Sequence, residues 1–330
     1  MTASARINSL SVIIPVLNEA EAIGECLDSL INASLPQVDI EILVIDGMSE
    51  DKTREIVNQY SQQHEEIYLI DNKQQTTPTG FNKGFEEFSN EIAVLMSGHA
   101  SVSDNFFLTI IDLFENEAPD ADIVGTRVYP DSEGYIQTSI AGALTSRFGA
   151  GSKRFRPYAG YVTTVSYGAY RREVIETVGK MDPELPRGQD YDFNKRAREQ
   201  GFKIYQAAES TVQYEPRSSF TELFRQKMGN GRGKAQISLM NETRLSRILS
   251  PVSIGLSVTL LIFFPLLLSL LTTVFVVYLS VMAGSITEVI VRDNSFSPRH
   301  FFGILVALVV IHSSFSIGFL IGHTAYQPSE

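Results

Sequence analysis

Five polar stretches carry the residue types that chemistry needs. Gly188-Gln189-Asp190-Tyr191-Asp192 stands directly before FNKRAREQG, a helical segment closed by Gly201. A carboxylate at a helix N-terminus is held ionised by backbone N–H groups, and one aimed at a hydroxyl serves as a general base. The same spacing suits Asp190 or Asp192 as a plain N-cap. Asp46, with Ser49 and Asp51 behind it, ends an apolar run. It can accept from a nucleobase or ribose, or cap the next helix. Ser97-Gly98-His99 ends another apolar run and offers one imidazole to a divalent cation, with no carboxylate beside it in the sequence. Tyr167-Gly168-Ala169 reads as a tight turn that admits substrate to the backbone, or as a helix entry. The segment QKMGNGRGK, from Gln226 through Arg232 to Lys234, joins glycines to donors suited to phosphate, and reads equally as a solvated basic linker.

These groups need a frame that gathers strand ends. Two short apolar runs, 11–14 and 41–45, flank Ile23, Leu27, Leu30 and Ile31 at helical spacing. That is a βαβ unit, so its strands are parallel and buried on both faces. Asn18 and Glu19 follow the first strand, and Asp46, Ser49 and Asp51 follow the second. Carboxyl ends of adjacent parallel strands are where open α/β sheets bind ligands. Helices are expected over 52–61, 79–88 and 105–115, strands over 67–70, 91–96 and 123–129, and a polar loop over 74–80. This alternation predicts an α/β, doubly wound sheet. Residues 142–161, rich in glycine and basic side chains, read as a mobile loop over a ligand.

The 330 residues are 44% hydrophobic, enough for a core and more than one domain. The single cysteine, Cys26, excludes an intramolecular disulfide. Net charge is −11, yet Arg217, Arg225, Lys227, Arg232, Lys234, Arg244 and Arg247 face only Glu222 and Glu242 in their stretch. A basic segment before a long apolar run indicates a cytoplasmic surface facing anionic lipid. No nucleic-acid motif accompanies it, so nucleic acid is not the expected partner. No charge occurs from Ile248 through Thr287. As one helix this run would be about 60 Å long, twice a bilayer's hydrocarbon thickness, so a hairpin fits better. Pro265 and residues 269–273 are its candidate interruptions. The expected layout is a cytoplasmic domain 1–235, a basic amphipathic linker 236–250, and membrane helices near 251–268, 270–288 and 301–322. The N-terminus shows no leader pattern, so the globular part is expected in the cytosol of a multi-pass plasma (inner) membrane protein.

Taken together, SVIIPVLNE, VIDGMSEDKT, GFNKG, SGHA, SYGAYRREVIETVGKMDPEL and GQDYDFNKRAREQGFKI resemble family 2 glycosyltransferases of the GT-A fold. They are most similar to membrane-associated enzymes of the succinoglycan exopolysaccharide type, and the resemblance spans about residues 10–234. It implies that Pro15, Asn18, Glu19, Asp46 and Ser49 lie at the nucleotide. Gly80, Asn82 and Ser97 would line the donor pocket. Gly168 and Ala169 would form the acceptor-side turn, Asp190 would be the catalytic base, and Gln226 and Arg232 would meet the diphosphate. Where the family carries Asp-x-Asp or Asp-x-His, this chain has Ser97-Gly98-His99. His99 then remains to hold Mg²⁺ or Mn²⁺ with donor phosphates, or the basic side chains of 147–156 and 225–234 replace the metal.

The resulting expectation is an inverting glycosyltransferase. It would move sugar from a nucleotide-diphosphate sugar, a UDP-sugar, to a lipid-linked saccharide in extracellular polysaccharide synthesis. A catalytically degenerate membrane scaffold is the rival, supported by Ser97. A nicotinamide oxidoreductase is disfavoured because PVLNEAE, not G-x-G-x-x-G, follows the first strand.

Overall fold

The first strand, β1 (Ser9–Val16), carries Leu10, Val12, Ile13 and Ile14, all fully buried. Branched side chains on both faces leave it no solvent side, and each contributes about 1.5–3 kcal/mol on burial. It must therefore sit inside a sheet with helices above and below. In this computed structural model, which describes residues 7–149, 153–185, 187–240 and 264–325, it does.

β2 (Asp39–Asp46) and β4 (Ile92–Leu95) flank β1 in parallel, and β3 (Ile67–Asp71) lies beyond β2. The connecting helices are α1 (Ile23–Asn32), α2 (Thr53–Gln63) and α3 (Thr77–Glu87). The chain thus runs outward from β1 to β3 and returns on the other side of β1 with β4. That reversal opens a crevice between the carboxyl ends of β1 and β4. α3 starts inside the expected polar loop because Thr76 caps it and Pro78 sits in its first turn. Gly80 and Gly84 lie one turn apart on α3. A Cβ on Gly84 would collide with Ile13, and one on Gly80 would stand 2.8 Å from Pro15. The two glycines let the helix backbone rest on β1.

α4 (Phe106–Asp112) unwinds into a wider turn at Leu113–Glu117. The remaining strands are β5 (Ala100–Val102), β6 (Ile123–Pro130), β7 (Gly160–Tyr161), β8 (Ala169–Arg171) and β9 (Ile204–Tyr214). The sheet order is β3-β2-β1-β4-β8-β6-β9-β5, with β7 on β9. β8 runs antiparallel between β4 and β6, so the sheet is mixed beyond β4. The three residues of β8 lie where a turn or helix entry was expected, and α6 (Arg172–Val178) follows at once. α7 (Gln189–Glu199) precedes β9 and ends before Gly201, whose φ is +95°.

Two compact units result. The sheet unit combines Met1–Asp131 with Ser152–Glu215, and the helical unit combines Ser132–Gly151 with Pro216–Glu330. The helical unit holds α5 (Gly134–Thr145), α8 (Phe220–Met240), α9 (Phe264–Arg292) and α10 (Phe301–Ala325). Residues 142–145 are therefore helix, not mobile loop. Gly142 is buried, and a Cβ there would stand 2.7 Å from Ile304 Cδ1. α9 passes through 269–273 without interruption. Residues 236–240 continue α8, while the remainder of the expected linker and residues 251–263 of the first expected crossing lie outside the described residues. Among those described, Thr273–Arg292 and Pro298–His323 are long and apolar enough to cross a membrane.

Candidate active site

The ends of β1 and β2 are sewn together by backbone-directed bonds. Gly47 N–H donates to Val16 O (2.8 Å), and Asn18 N–H donates to Ser49 Oγ (2.9 Å). Glu50 N–H donates to Asn18 Oδ1 (2.9 Å), Glu19 N–H to Thr53 Oγ1 (2.8 Å), and Ala20 N–H to Asp51 Oδ2 (3.1 Å). Asn18 and Met48 hold φ of 55° and 62° inside this seam. Asn tolerates that region, whereas Met48 costs about 1–2 kcal/mol, which the surrounding bonds offset.

Asp46 sits at the base of the seam with no exposed surface. Its Oδ2 accepts from Arg54 Nη1 (2.5 Å) and from Ser49 N–H (3.1 Å). Its Oδ1 is buried and has no hydrogen-bond partner. A carboxylate oxygen left bare in a buried place costs about 1–3 kcal/mol, which a bound N–H would recover. Arg54 also donates from Nη2 to Asp71 Oδ1 (2.8 Å). Bonds to Asp46, then Asp71, push its pKa further up and keep it charged. The sequence reading did not single out Arg54, Asp71 or Thr53. Their signal is position: each stands at a strand end or in the first turn after one.

On the far side of the crevice, Leu95 N–H donates to Gly168 O (2.9 Å), which ties the end of β4 to the turn before β8. Ser97 Oγ lies 3.4 Å from Tyr167 OH, and Tyr167 holds a φ of 53°. Burial, aided by the negative charge of Asp190, pushes the Tyr170 phenol well above its ordinary pKa. Burial raises Tyr167 too, and Asp190 adds to it. Tyr170 OH donates to Asn194 Oδ1 (3.1 Å), one helical turn along α7 from Asp190. Asp190 lies in the first turn of α7, half-buried, and its Oδ1 accepts from Tyr191 N–H (2.8 Å). Gly188, with φ of 84°, occupies the cap position, so neither Asp190 nor Asp192 is an N-cap. Asp192 is committed to Arg196 (2.9 Å).

The remaining sequence-derived residues fall in different places. Pro15, one residue before the end of β1, packs against Gly80. The Asn82 amide is spent on the Met181 backbone, donating to its O (2.8 Å) and accepting from its N–H (2.7 Å). Gly168 is boxed in by Val165 and Tyr170, and Ala169 is buried within the sheet. Gln226 and Arg232 lie on α8 of the helical unit. The glycines around them serve packing: a Cβ on Gly231 would collide with Phe315 O of α10, and one on Gly318 of α10 with Met228 O. Close backbone contact through small residues is a device of membrane helices. Cys26 is buried against the Ser97 carbonyl, and burial, then Glu19 and Glu25, pushes its thiol up to about 12.

Among the described residues no three His, Cys, Asp or Glu side chains gather. Two do: His99 Nδ1 lies 3.0 Å from Glu19 Oε1, so the histidine without a sequence-adjacent carboxylate acquires one across the crevice. Mg²⁺ bound to nucleotides commonly takes only one or two protein ligands, with phosphates and water completing the shell, so this pair fits such a cation.

The sequence profile described as glycosyl transferase family 2 matches residues 11–179. A dolichyl N-acetyl-alpha-D-glucosaminyl phosphate 3-beta-D-2,3-diacetamido-2,3-dideoxy-beta-D-glucuronosyltransferase of Methanococcus voltae is 27% identical over 96% of this chain and 97% of its own length. Succinoglycan biosynthesis protein ExoA of Rhizobium meliloti is 26% identical over 93% of each. The mannosyltransferase PcManGT of Pyrobaculum calidifontis, solved with GDP-Man and Mn²⁺, superposes with a TM-score of 0.60 at 14% identity over 96% of this chain and 88% of its own. That likeness carries the GT-A fold. The chain belongs to glycosyl transferase family 2 and is a glycosyltransferase that takes its sugar from a nucleotide sugar.

Proposed function

We propose that the enzyme moves sugar with inversion from a UDP-sugar to a hydroxyl of a lipid-linked saccharide at a membrane surface, in the assembly of an extracellular polysaccharide. The observation that carries the donor half is Asp46 Oδ1, a buried acceptor with nothing to accept from. Uracil offers its imide N–H to such an acceptor; the guanine N1–H and the amino groups of adenine and cytosine are the competing donors. The seam between β1 and β2 fixes Asn18 and Ser49 at the same strand ends. Low loss of freedom on binding follows from such preorganisation.

Asp190 is the proposed base. It would take the proton from the acceptor hydroxyl as that oxygen attacks the anomeric carbon opposite the leaving diphosphate. The family profile stops at residue 179, short of it, so its role rests on its place at the α7 N-terminus, one turn before Asn194, which bonds Tyr170 and the Val165 carbonyl. Glu19 and His99 would hold a divalent cation, and its positive charge would then balance the leaving diphosphate. For the acceptor, the Methanococcus voltae relative is named for a dolichyl-phosphate-linked substrate, and two helices here are apolar enough to reach lipid. We propose accordingly a plasma-membrane protein with the sheet unit in the cytoplasm.

Full-length protein in detergent, given UDP-sugars and a polyprenyl-linked saccharide, should release UDP and extend the lipid. Asp190→Asn should lower turnover about a hundredfold or more and leave UDP affinity unchanged. Wild-type turnover in Asp190→Asn removes it as the base. Tighter binding of GDP than of UDP reassigns the donor.

A further inference from the structure

We propose that Glu19 supplies the carboxylate that position 97 lacks, so that Glu19 and His99 together hold the cation across the crevice between β1 and β4. This rests on the nucleotide-sugar reading above. The two residues are 80 positions apart, yet Glu19 Oε1 stands 3.0 Å from His99 Nδ1. Two neighbouring ligands in an octahedral shell, each about 2.1 Å from the ion, are themselves about 3.0 Å apart. The pair already has the spacing of two such ligands. Both side chains keep an open face, 28% exposed for Glu19 and 45% for His99, as ligands shared with a substrate require.

The approach is built into the backbone from both sides. Glu19 is fixed by its N–H bond to Thr53 Oγ1. Gly98 lets the turn after β4 close on β1, because a Cβ there would stand 2.8 Å from Val16 Cγ1 and 3.5 Å from Glu19 Cβ. Ser97 meanwhile turns its hydroxyl to Tyr167, 3.4 Å away, and adds no charge to the crevice. A surface His–Glu pair of this exposure is worth little by itself. Its value lies in what it binds. A set of one nitrogen and one oxygen ligand favours Mn²⁺ over the harder Mg²⁺.

The test measures Mn²⁺ and UDP separately on full-length protein in detergent. Free Mn²⁺ is followed by electron paramagnetic resonance in the presence of UDP, and UDP binding is followed by calorimetry in EDTA. Glu19→Gln and His99→Ala should each weaken Mn²⁺ binding about tenfold or more, with unchanged UDP affinity in EDTA and an unchanged melting temperature. Wild-type Mn²⁺ affinity in Glu19→Gln overturns the inference. So does an equal loss of UDP affinity in EDTA, which would make Glu19 a nucleotide contact, and so does a wild type that binds UDP but no Mn²⁺. A wild type that binds no UDP under either condition sinks the donor reading instead. Should Glu19→Gln unfold early, His99→Ala, in an exposed turn, carries the same comparison.

Discussion

Replacing Asp46 by Asn isolates one oxygen. In the wild type Oδ2 is occupied by Arg54 and Ser49, and Oδ1 is bare. An Asn amide can keep its oxygen on the Arg54 side only by turning its NH₂ toward the place where a base imide would donate. Donor then meets donor, and a hydrogen bond to a charged acceptor, worth about 1.5–3 kcal/mol, is lost. At about 1.36 kcal/mol per decade this is roughly a 10- to 150-fold loss of UDP affinity. Stability should change far less. Arg54 is a third exposed and keeps its bond to Asp71, so its lost attraction to Asp46 is screened. Calorimetry with UDP in EDTA removes the diphosphate–cation contribution, and thermal unfolding reads the fold. UDP affinity within about threefold of wild type, together with a lowered melting temperature, would refute the reasoning and leave Asp46 as Arg54's structural partner.

Asn82→Ala should lower stability by about 2–5 kcal/mol, because the Met181 N–H and C=O both lose their partner. The folded fraction should bind UDP as the wild type does, and calorimetry showing weaker UDP binding without a stability change would restore Asn82 to the donor pocket. Gly231→Leu should separate α8 from α10, lowering the melting temperature in detergent and the yield of monodisperse protein, whereas the same change at exposed Arg232 should do neither. Cys26 should resist iodoacetamide near pH 8 in the folded protein and react fully in concentrated guanidinium. The native thiol holds its proton up to about 12, against 9.0 for a free one, so its contribution to stability is complete below pH 9 and declines as pH rises above it.

Much of the sheet unit is legible residue by residue because its signals are local. Ile23, Leu27, Leu30 and Ile31 repeat at the helix period, and the runs ending in Asn18 and Asp46 are short and branched. Strand, helix and strand in succession then dictate parallel pairing, and parallel pairing puts both polar ends on one side. β8 escaped because three residues before a helix carry no period, and its antiparallel insertion is secured only by β4 and β6. Gly142 and Gly231 escaped because a glycine reads as a loop until the partner it touches is known.

The sequence by itself determined the family, the βαβ start, the carboxylates at the strand ends and the apolar run that suits a membrane. Tertiary structure decided which of those groups work together. It brought Glu19 to His99, spent Asn82 on Met181 and Asp192 on Arg196, and left one oxygen of Asp46 bare. The reason is range. Periodicity and capping act over three or four residues, whereas a hydrogen bond across a crevice depends on which strand returns beside which, and only the folded sheet sets that.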